Sequence, residues 1–366
     1  MDSKPTIKDI ARLARVSHTT VSRALNNRPR VGRRTRDRIL AIAKKLNYQP
    51  NVAAQSLKVR RTKTIGLVIT TIMNPFYPEL AHGIENTARE MGYNIILCST
   101  NYDINLEKKH IDVLGGKGVD GIIFTSTFLH DPNVEGLINE KFPIILVNRK
   151  IYDESVINRV DYVVVDNVHG GCIAVEHLIR MGHRRIGIIS GLSQSSASVE
   201  RLDGARKVLA EYGMDLDPDL IAQGNFLMAS GLDAARSYAK MRHRPTAVFA
   251  VNDYMALGAM EGFIEEGFRI PQDVALIGFN DIEISRMKNI ELTTIGQKTY
   301  EMGSIAVKTL VEKIEGGGHG VVRQIILEPE LIIRKSCGYG LKGYRKEIQK
   351  SKEGLCAGYH DSLRLS

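Results

Sequence analysis

The chain has 366 residues, of which 43% are hydrophobic, 25% charged and 6% aromatic. That length fits two or three ordinary domains, and that mix excludes a wholly disordered or fibrous protein. The net charge of +9 points to a polyanionic partner, although a total does not say where the charge sits.

The charge is partitioned. Residues 1–63 hold 17 Lys or Arg and three acids, for +14, residues 337–366 carry +3, and 64–336 carry −8. Cys98, Cys172, Cys337 and Cys356 are far apart with no C-x-x-C, which argues against a zinc ribbon or a dense disulfide framework and fits a reducing compartment. No apolar signal core opens the chain and no 18-residue apolar run occurs in it. The expectation is a cytoplasmic protein without a membrane partner.

Thr6-Ile7-Lys8-Asp9 reads as a helix start, with Thr6 placed to cap free N–H groups and Asp9 near the positive helix end. Ile7, Ile10, Ala11 and Ala14 repeat at helical spacing. After a break at Arg15-Val16, Ser17 is a second cap, with Val21, Ala24 and Leu25 as the buried stripe. Asn26-Asn27-Arg28-Pro29 stops that helix. A third helix runs from about Arg33 to Leu46 with Ile39, Ile42, Ala43 and Leu46 inward. Two short helices around a tight turn, then a third, make a helix-turn-helix bundle. The second helix would present His18, Thr19, Thr20, Ser22 and Arg23 to a major groove, where an Arg fork can read guanine. A protein-binding bundle with a solvated face is the plainer alternative, but +14 over 63 residues exceeds what solubility needs.

Thr-Ile-Lys-Asp-Ile-Ala-x-x-Ala-x-Val-Ser-x-x-Thr-Val-Ser-Arg-Ala-Leu-Asn at 6–26 resembles the N-terminal signature of the LacI/GalR transcription regulators, and Thr35-Arg36 and Leu46-Asn47-Tyr48-x-Pro50-Asn51 extend it. The family commonly has Ser where Gly32 stands, so one capping hydroxyl is lost. The DNA-binding residues expected from the resemblance are Thr6, Ser17, His18, Thr19, Thr20, Ser22, Arg23 and Asn26, of which Thr20 and Ser22 would fix phosphates and His18, Thr19 and Arg23 would read bases. Residues 50–61 could form about two helical turns from Asn51, too short to be stable alone. The resemblance implies a hinge helix that folds in the minor groove beside its dimer mate, with Asn51, Ala54 and Leu57 contributing and Leu57 as an apolar wedge. A passive tether is the reading without it.

From Thr64 apolar runs of strand length alternate with amphipathic stretches. The strands expected are Thr64–Ile69, Tyr93–Cys98, Gly121–Thr125, Ile144–Val147, Tyr162–Val165, Arg185–Ile189, Thr246–Val251 and Val274–Gly278. Helical patterns between them include Glu79–Met91, Gly170–Met181, Arg201–Tyr212 and Ala256–Glu266, and Gly92 and Gly182 close two of them. Such βα repeats imply an α/β body of two doubly wound parallel-sheet lobes, one from 64–165 and one from 185–280, with a cleft between. The body also resembles periplasmic sugar-binding proteins. Its marks are Arg184-Arg185-Ile186-Gly187, Arg201-x-x-Gly204, Asn252-Asp253-x-x-Ala256-x-Gly258, Val274-x-x-Ile277-Gly278-Phe279 and Leu292-Thr293-Thr294-Ile295.

By that resemblance Phe76, Asn148, Asp166, Arg201, Phe226, Asn252 and Asn280 match effector-lining positions. Amides, carboxylates and an Arg fork suit a hydroxyl-rich ligand, since each hydroxyl donates and accepts. Polar residues at strand ends also often merely cap helices. The family usually has Asp where Asn280 stands, and with Arg149 close by this leaves room for a sugar acid or phosphate. Ser195 stands where the family's purine-binding member has a base-contacting Arg, which argues against a purine.

Gly338-Tyr339-Gly340-Leu341-Lys342-Gly343 satisfies G-x-G-x-x-G, but no βαβ unit can follow it in the 23 polar-rich residues that remain. No nucleophile motif, metal-spaced pair or cofactor motif is seen, so no catalytic, metal or cofactor site is expected. The domains read as 1–49 helix-turn-helix, 50–61 hinge, 62–336 effector-binding and dimerisation body, and 337–366 basic mobile tail. The expected function is a homodimeric, nucleoid-associated repressor. It binds pseudo-palindromic double-stranded operator DNA under control of a small effector, a carbohydrate or its derivative. A sugar-modifying enzyme with a regulatory head and an effector-independent architectural DNA binder are the rivals.

Overall fold

The computed structural model describes residues 5–48, 61–316 and 321–340. The chain forms two units, residues 1–62 and 63–366.

In the first, α1 (Ile7–Ala14), α2 (His18–Leu25) and α3 (Arg33–Lys45) appear where the apolar spacing put them. The start of α1 is a capping box of Thr6 and Asp9. The Thr6 hydroxyl donates to Asp9 Oδ2 at 2.7 Å, and the same oxygen accepts the Thr6 backbone N–H at 2.9 Å. Arg15 turns the chain with a left-handed φ of 50°. Ser17 Oγ then accepts the Thr20 backbone N–H at 3.1 Å and starts α2. Gly32 heads α3 with no side-chain cap, as the missing hydroxyl implies. Ile10, Ala14, Val21, Ala24, Ile39 and Ala43 form the buried core. Each large aliphatic there contributes about 1.5–3 kcal/mol by leaving water.

The body contains β1 (Thr64–Ile69), β2 (Asn94–Ser99), β3 (Gly121–Phe124), β4 (Ile144–Val147) and β5 (Asp161–Val165). Then come β6 (Ile186–Ser190), β7 (Ile221–Gln223), β8 (Ala247–Ala250), β9 (Ala275–Asn280), β10 (Thr293–Gly296), β11 (Gln324–Leu327) and β12 (Glu330–Ile332). They form two six-stranded sheets, ordered β11-β5-β4-β3-β1-β2 and β12-β10-β9-β8-β6-β7. Only the β10–β12 pair is antiparallel. Both lobes thus repeat one order, with the reversal at β1 and at β6. Loops at the carboxyl ends of such strands form the crevice of this architecture.

All eight expected strands are present, two with the expected bounds (Thr64–Ile69 and Ile144–Val147) and six with an end shifted by one or two residues. β7, β10, β11 and β12 were not expected. They are short or edge strands, and three of them are only partly buried, so they lack a long apolar run. The expectation that each lobe is one contiguous half also needs correction. The chain crosses between lobes three times, at Asp166, around Gln297 and between β11 and β12. The helix Thr299–Glu315 and β11 therefore complete the first lobe from the far end of the sequence. The packed body also runs past 336, since Cys337 is fully buried. The expected tail beyond Gly340 lies outside the described residues, as does the second half of the G-x-G-x-x-G run.

The helix starts were read three to five residues late. Asn167–Arg180 and Asp253–Glu265 begin within two or three residues of the preceding strand, and Phe76–Glu90 and Ser196–Glu211 begin after short loops. Their first turns carry polar caps such as Asp166 and Asn252 rather than the apolar stripe that marks a helix in sequence. The helices 167–180 and 196–211 cross backbone to backbone. A Cβ on Gly204 would sit 2.0 Å from the Val168 carbonyl oxygen, and one on Gly171 would sit 2.1 Å from that of Arg201. Glycine at this crossing fixes the height at which Arg201 stands.

Candidate functional site

On the head, α2 turns Val21 and Ala24 inward and leaves His18, Thr19 and Arg23 exposed, with Ser22 half-buried. The Thr20 hydroxyl is 2.9 Å from that of Ser17. Asn26 Nδ2 donates to the Ser22 carbonyl at 2.8 Å and holds the end of α2. Thr6, Ser17 and Asn26 lie exposed at helix ends. Arg12, Arg15, Arg23, Arg28, Arg30, Arg33 and Arg34 are likewise exposed, and Arg12 alone of these has an ion-pair partner among the described residues, Asp9 at 3.2 Å. A positive, largely unpaired surface beside a helix of small polar groups can hold phosphates and place an Arg fork in a groove. Asn51, Ala54 and Leu57 lie outside the described residues.

In the body, the residues expected to line the cleft come from both lobes. Asn148 follows β4 with φ 67°, Phe226 precedes the helix Met228–Ala239 with φ 67°, and Asn280 ends β9 with φ 128°. Non-glycine residues held in such backbone regions cost free energy and collect at ligand sites. Phe226 is the hub. Its ring stacks on Tyr102 of the other lobe, 6.3 Å between centroids at 12°. Its carbonyl accepts Asn74 Nδ2 at 3.3 Å and Asn252 Nδ2 at 3.0 Å. Lys150 bridges the lobes further along, its N–H donating to Ser196 Oγ at 2.8 Å and its ammonium pairing with Glu200 at 2.7 Å.

Two of the expected contacts spend their polar atoms on building the walls. Asn252 Oδ1 caps the helix Asp253–Glu265 at the Met255 N–H, 2.9 Å away, while its amide nitrogen holds Phe226. Asp166 Oδ1 accepts the His169 N–H at 2.8 Å. Phe76 is buried at a helix start and packs edge-on against Tyr77 at 5.2 Å. Arg201 stands in the second turn of its helix rather than opening it. Its Nε donates to Asn167 Oδ1 at 2.8 Å and its Nη1 to the Val251 carbonyl at 2.6 Å, with Phe279 under the guanidinium at 3.6 Å. Burial holds that guanidinium down to about 9, with Arg149 adding to the effect and Glu200 opposing it.

Other buried polar atoms remain without partners. They are Asn148 Oδ1, Nε and Nη1 of Arg149, Nη2 of Arg201, the hydroxyls of Thr70, Tyr102, Thr127 and Ser195, and both amide atoms of Gln297. Buried polar groups are normally satisfied, so a concentration of unsatisfied ones at strand ends is what a polar ligand would relieve. Burial also pushes the Tyr102 phenol up to about 12, keeping it a neutral donor. Sequence reasoning did not single out Thr70, Tyr102, Thr127 or Gln297. The first and third follow β1 and β3 as Asn148 follows β4, so strand-end position was the available signal. Gln297 follows β10, which had not been read as a strand. Beside Tyr102 a recess of about 350 Å³ is lined by Ile104, Phe128, Leu129, His130 and Gln194. Among the described residues no group of three His, Cys, Asp or Glu could hold a metal, and no helix is long and apolar enough to cross a membrane.

Comparison with known proteins supplies the family. Residues 62–334 match the model of periplasmic binding proteins and the sugar binding domain of the LacI family, and residues 6–51 match that of bacterial regulatory proteins of the lacI family. The chain is 37% identical over 331 residues to the HTH-type transcriptional repressor PurR of Photobacterium profundum, covering 90% of this chain and 98% of that one. It is similar to the solved complex of the transcriptional regulator CelR with cellobiose, at 33% identity and TM-score 0.69 over 91% and 99% of the two chains. It is also similar to the lac repressor dimer bound to operator and the anti-inducer ONPF, at 26% identity and TM-score 0.81 over 92% and 99%. These relatives are named repressors and regulators, which sets aside the enzyme reading. The chain belongs to the LacI family of bacterial regulatory proteins and is a DNA-binding transcriptional regulator.

Proposed function

We propose that the protein represses transcription as a homodimer on a pseudo-palindromic operator, and that a hydroxyl-rich, carbohydrate-class effector in the interlobe cleft sets its operator affinity. Thr20 and Ser22 hold phosphates while His18, Thr19 and Arg23 read base edges in the major groove. Residues 50–61 form the hinge, with Leu57 as the wedge. The observation that carries the effector reading is the set of buried, unpartnered hydroxyl, amide and guanidinium groups contributed by both lobes. A polyol can give and take a hydrogen bond at each of its oxygens, which suits that mixture. The relative crystallised with cellobiose supports the same class, and Ser195 favours a hydroxyl partner over a purine.

Because the chain crosses between lobes three times, a ligand that changes their closure also moves the strands nearest the hinge. The effector then shifts a population between operator-competent and operator-incompetent dimers. A thermal-shift screen of metabolites, repeated with operator DNA present, tests this. A stabilising carbohydrate should change operator affinity by roughly 5–150-fold. If ligands stabilise the body yet leave operator affinity unchanged, the regulator is effector-independent, as the architectural rival holds.

A further inference from the structure

Most buried or half-buried cations of the body have a carboxylate beside them. Lys150 pairs with Glu200 at 2.7 Å, Lys313 with Asp161 at 2.6 Å, Arg180 with Glu176 at 2.8 Å, and Arg334 with Asp281. Arg149 and Arg201, each 2% exposed, are different, since among the described residues neither has a carboxylate within ion-pair distance. The nearby acids are engaged elsewhere. Glu200 also accepts from Tyr152 and Asn167, and Asp253 accepts from Ser285, Thr294 and the Ile282 N–H.

Arg149 is the more open of the two. Its Nε and Nη1 have no acceptor, and Nη2 has only the Tyr77 hydroxyl at 3.4 Å. It lies beside the stacked rings of Tyr102 and Phe226, 5.5 and 5.4 Å from their centroids, which orient a cation without neutralising it. Isolated buried charge is expensive, and a protein retains it where a partner arrives later. The residue next to it in the chain, Asn148, is an amide and supplies no charge.

We propose that the effector is an anion, a sugar-sized polyol bearing a carboxylate or phosphate-ester group that seats on the open N–H groups of Arg149, with the free Nη2 of Arg201 as a second donor. This rests on the reading of the cleft as the effector site. The hydroxyl and amide groups around it then hold the rest of the molecule. A neutral sugar would leave the charge of Arg149 unanswered, whereas oxyanion–guanidinium hydrogen bonds are the stronger kind.

The test uses the purified full chain, its Asn148→Asp, Arg149→Met and Phe226→Ala variants, and matched sets of probes. Each set is a neutral hexose or pentose, its sugar acid and its phosphate ester, with inorganic phosphate and sulfate as controls. At least one anion should bind on the order of 30-fold more tightly than its neutral parent, and Arg149→Met should erase that preference. Whether the acid or the ester wins identifies the group. Without ligand, Asn148→Asp should unfold at a higher temperature than the parent, because it puts a buried carboxylate next to the uncompensated Arg149. The proposal falls if neutral parents bind as tightly as their anions, if no probe binds at millimolar concentration, if sulfate alone stabilises as well, or if Asn148→Asp unfolds at a lower temperature. Neutral sugars that bind and are lost in Phe226→Ala would sink the anion and leave the cleft standing. Anions indifferent to both Phe226→Ala and Arg149→Met would sink the cleft reading itself.

Discussion

Arg149 and Arg201 are equally buried but differently held, and replacing each by methionine should move stability in opposite directions. Arg149 is desolvated at a cost of several kcal/mol, and its returns are one 3.4 Å contact with the Tyr77 hydroxyl, the nearby Tyr102 hydroxyl and two ring centroids more than 5 Å away. Ring faces at that range give back about 0.5–2 kcal/mol. Arg149→Met keeps most of the volume and deletes the charge, so the ligand-free protein should gain about 1–3 kcal/mol. Arg201 makes bonds of 2.8 and 2.6 Å, each charge-assisted, and lies on Phe279 at 3.6 Å. Arg201→Met takes the side-chain donor from the Val251 carbonyl and from Asn167 Oδ1, costing about 2–4 kcal/mol. Urea unfolding of the ligand-free chain, followed by far-ultraviolet circular dichroism with the slope checked for constancy, measures both. If Arg149→Met loses as much stability as Arg201→Met, Arg149 is a structural cation and the reasoning from unpaired charge is wrong.

Gly204→Ala drives a methyl to 2.0 Å from the Val168 carbonyl oxygen and must push apart the helices that place Arg201. It should cost about 1–3 kcal/mol in unfolding free energy and weaken effector binding in calorimetry. His183 is buried and its imidazole is held down to about 4, so its protonation penalises the folded state. The sign follows from a depressed base: this penalty is absent above pH 6.5 and grows as pH falls toward about 4. His183→Asn should therefore flatten the fall of the unfolding free energy over that window, by up to about 3 kcal/mol. Leu57→Ala should lower operator affinity by tenfold in order of magnitude and reduce the bend, with effector affinity unchanged in the same preparation. Unchanged affinity and bend would remove the wedge.

The head was almost wholly legible, because three amphipathic stripes, two polar caps and a long fixed-spacing signature all lie within a short contiguous stretch. In the body, central strands such as Ile144–Val147 are fully buried on both faces and announce themselves as apolar runs. Edge strands such as Glu330–Ile332 do not. Local pattern also cannot show that β11 joins β5, because that pairing is between segments far apart in the chain. At the site, strand-end position picked out Asn148 and Asn280 and the family resemblance added Phe226; their left-handed or otherwise unusual backbone angles set all three apart. It could not separate Asn252, whose amide is committed to a cap and to Phe226, from Arg149, whose donors are open. That distinction depends on which partners the folded chain brings within reach.

The central claim is that the basic head reads two-fold symmetric DNA under the control of the cleft. Selection of random double-stranded DNA by the purified full chain, sequenced with and without a cleft ligand found by thermal shift, tests it most directly. The account predicts enrichment of one pseudo-palindromic motif, lost in Arg23→Ala through relaxation at one base position per half-site, and raised or lowered by the ligand. Enrichment of an asymmetric motif, or none, or a palindrome indifferent to every ligand that stabilises the body, would contradict it.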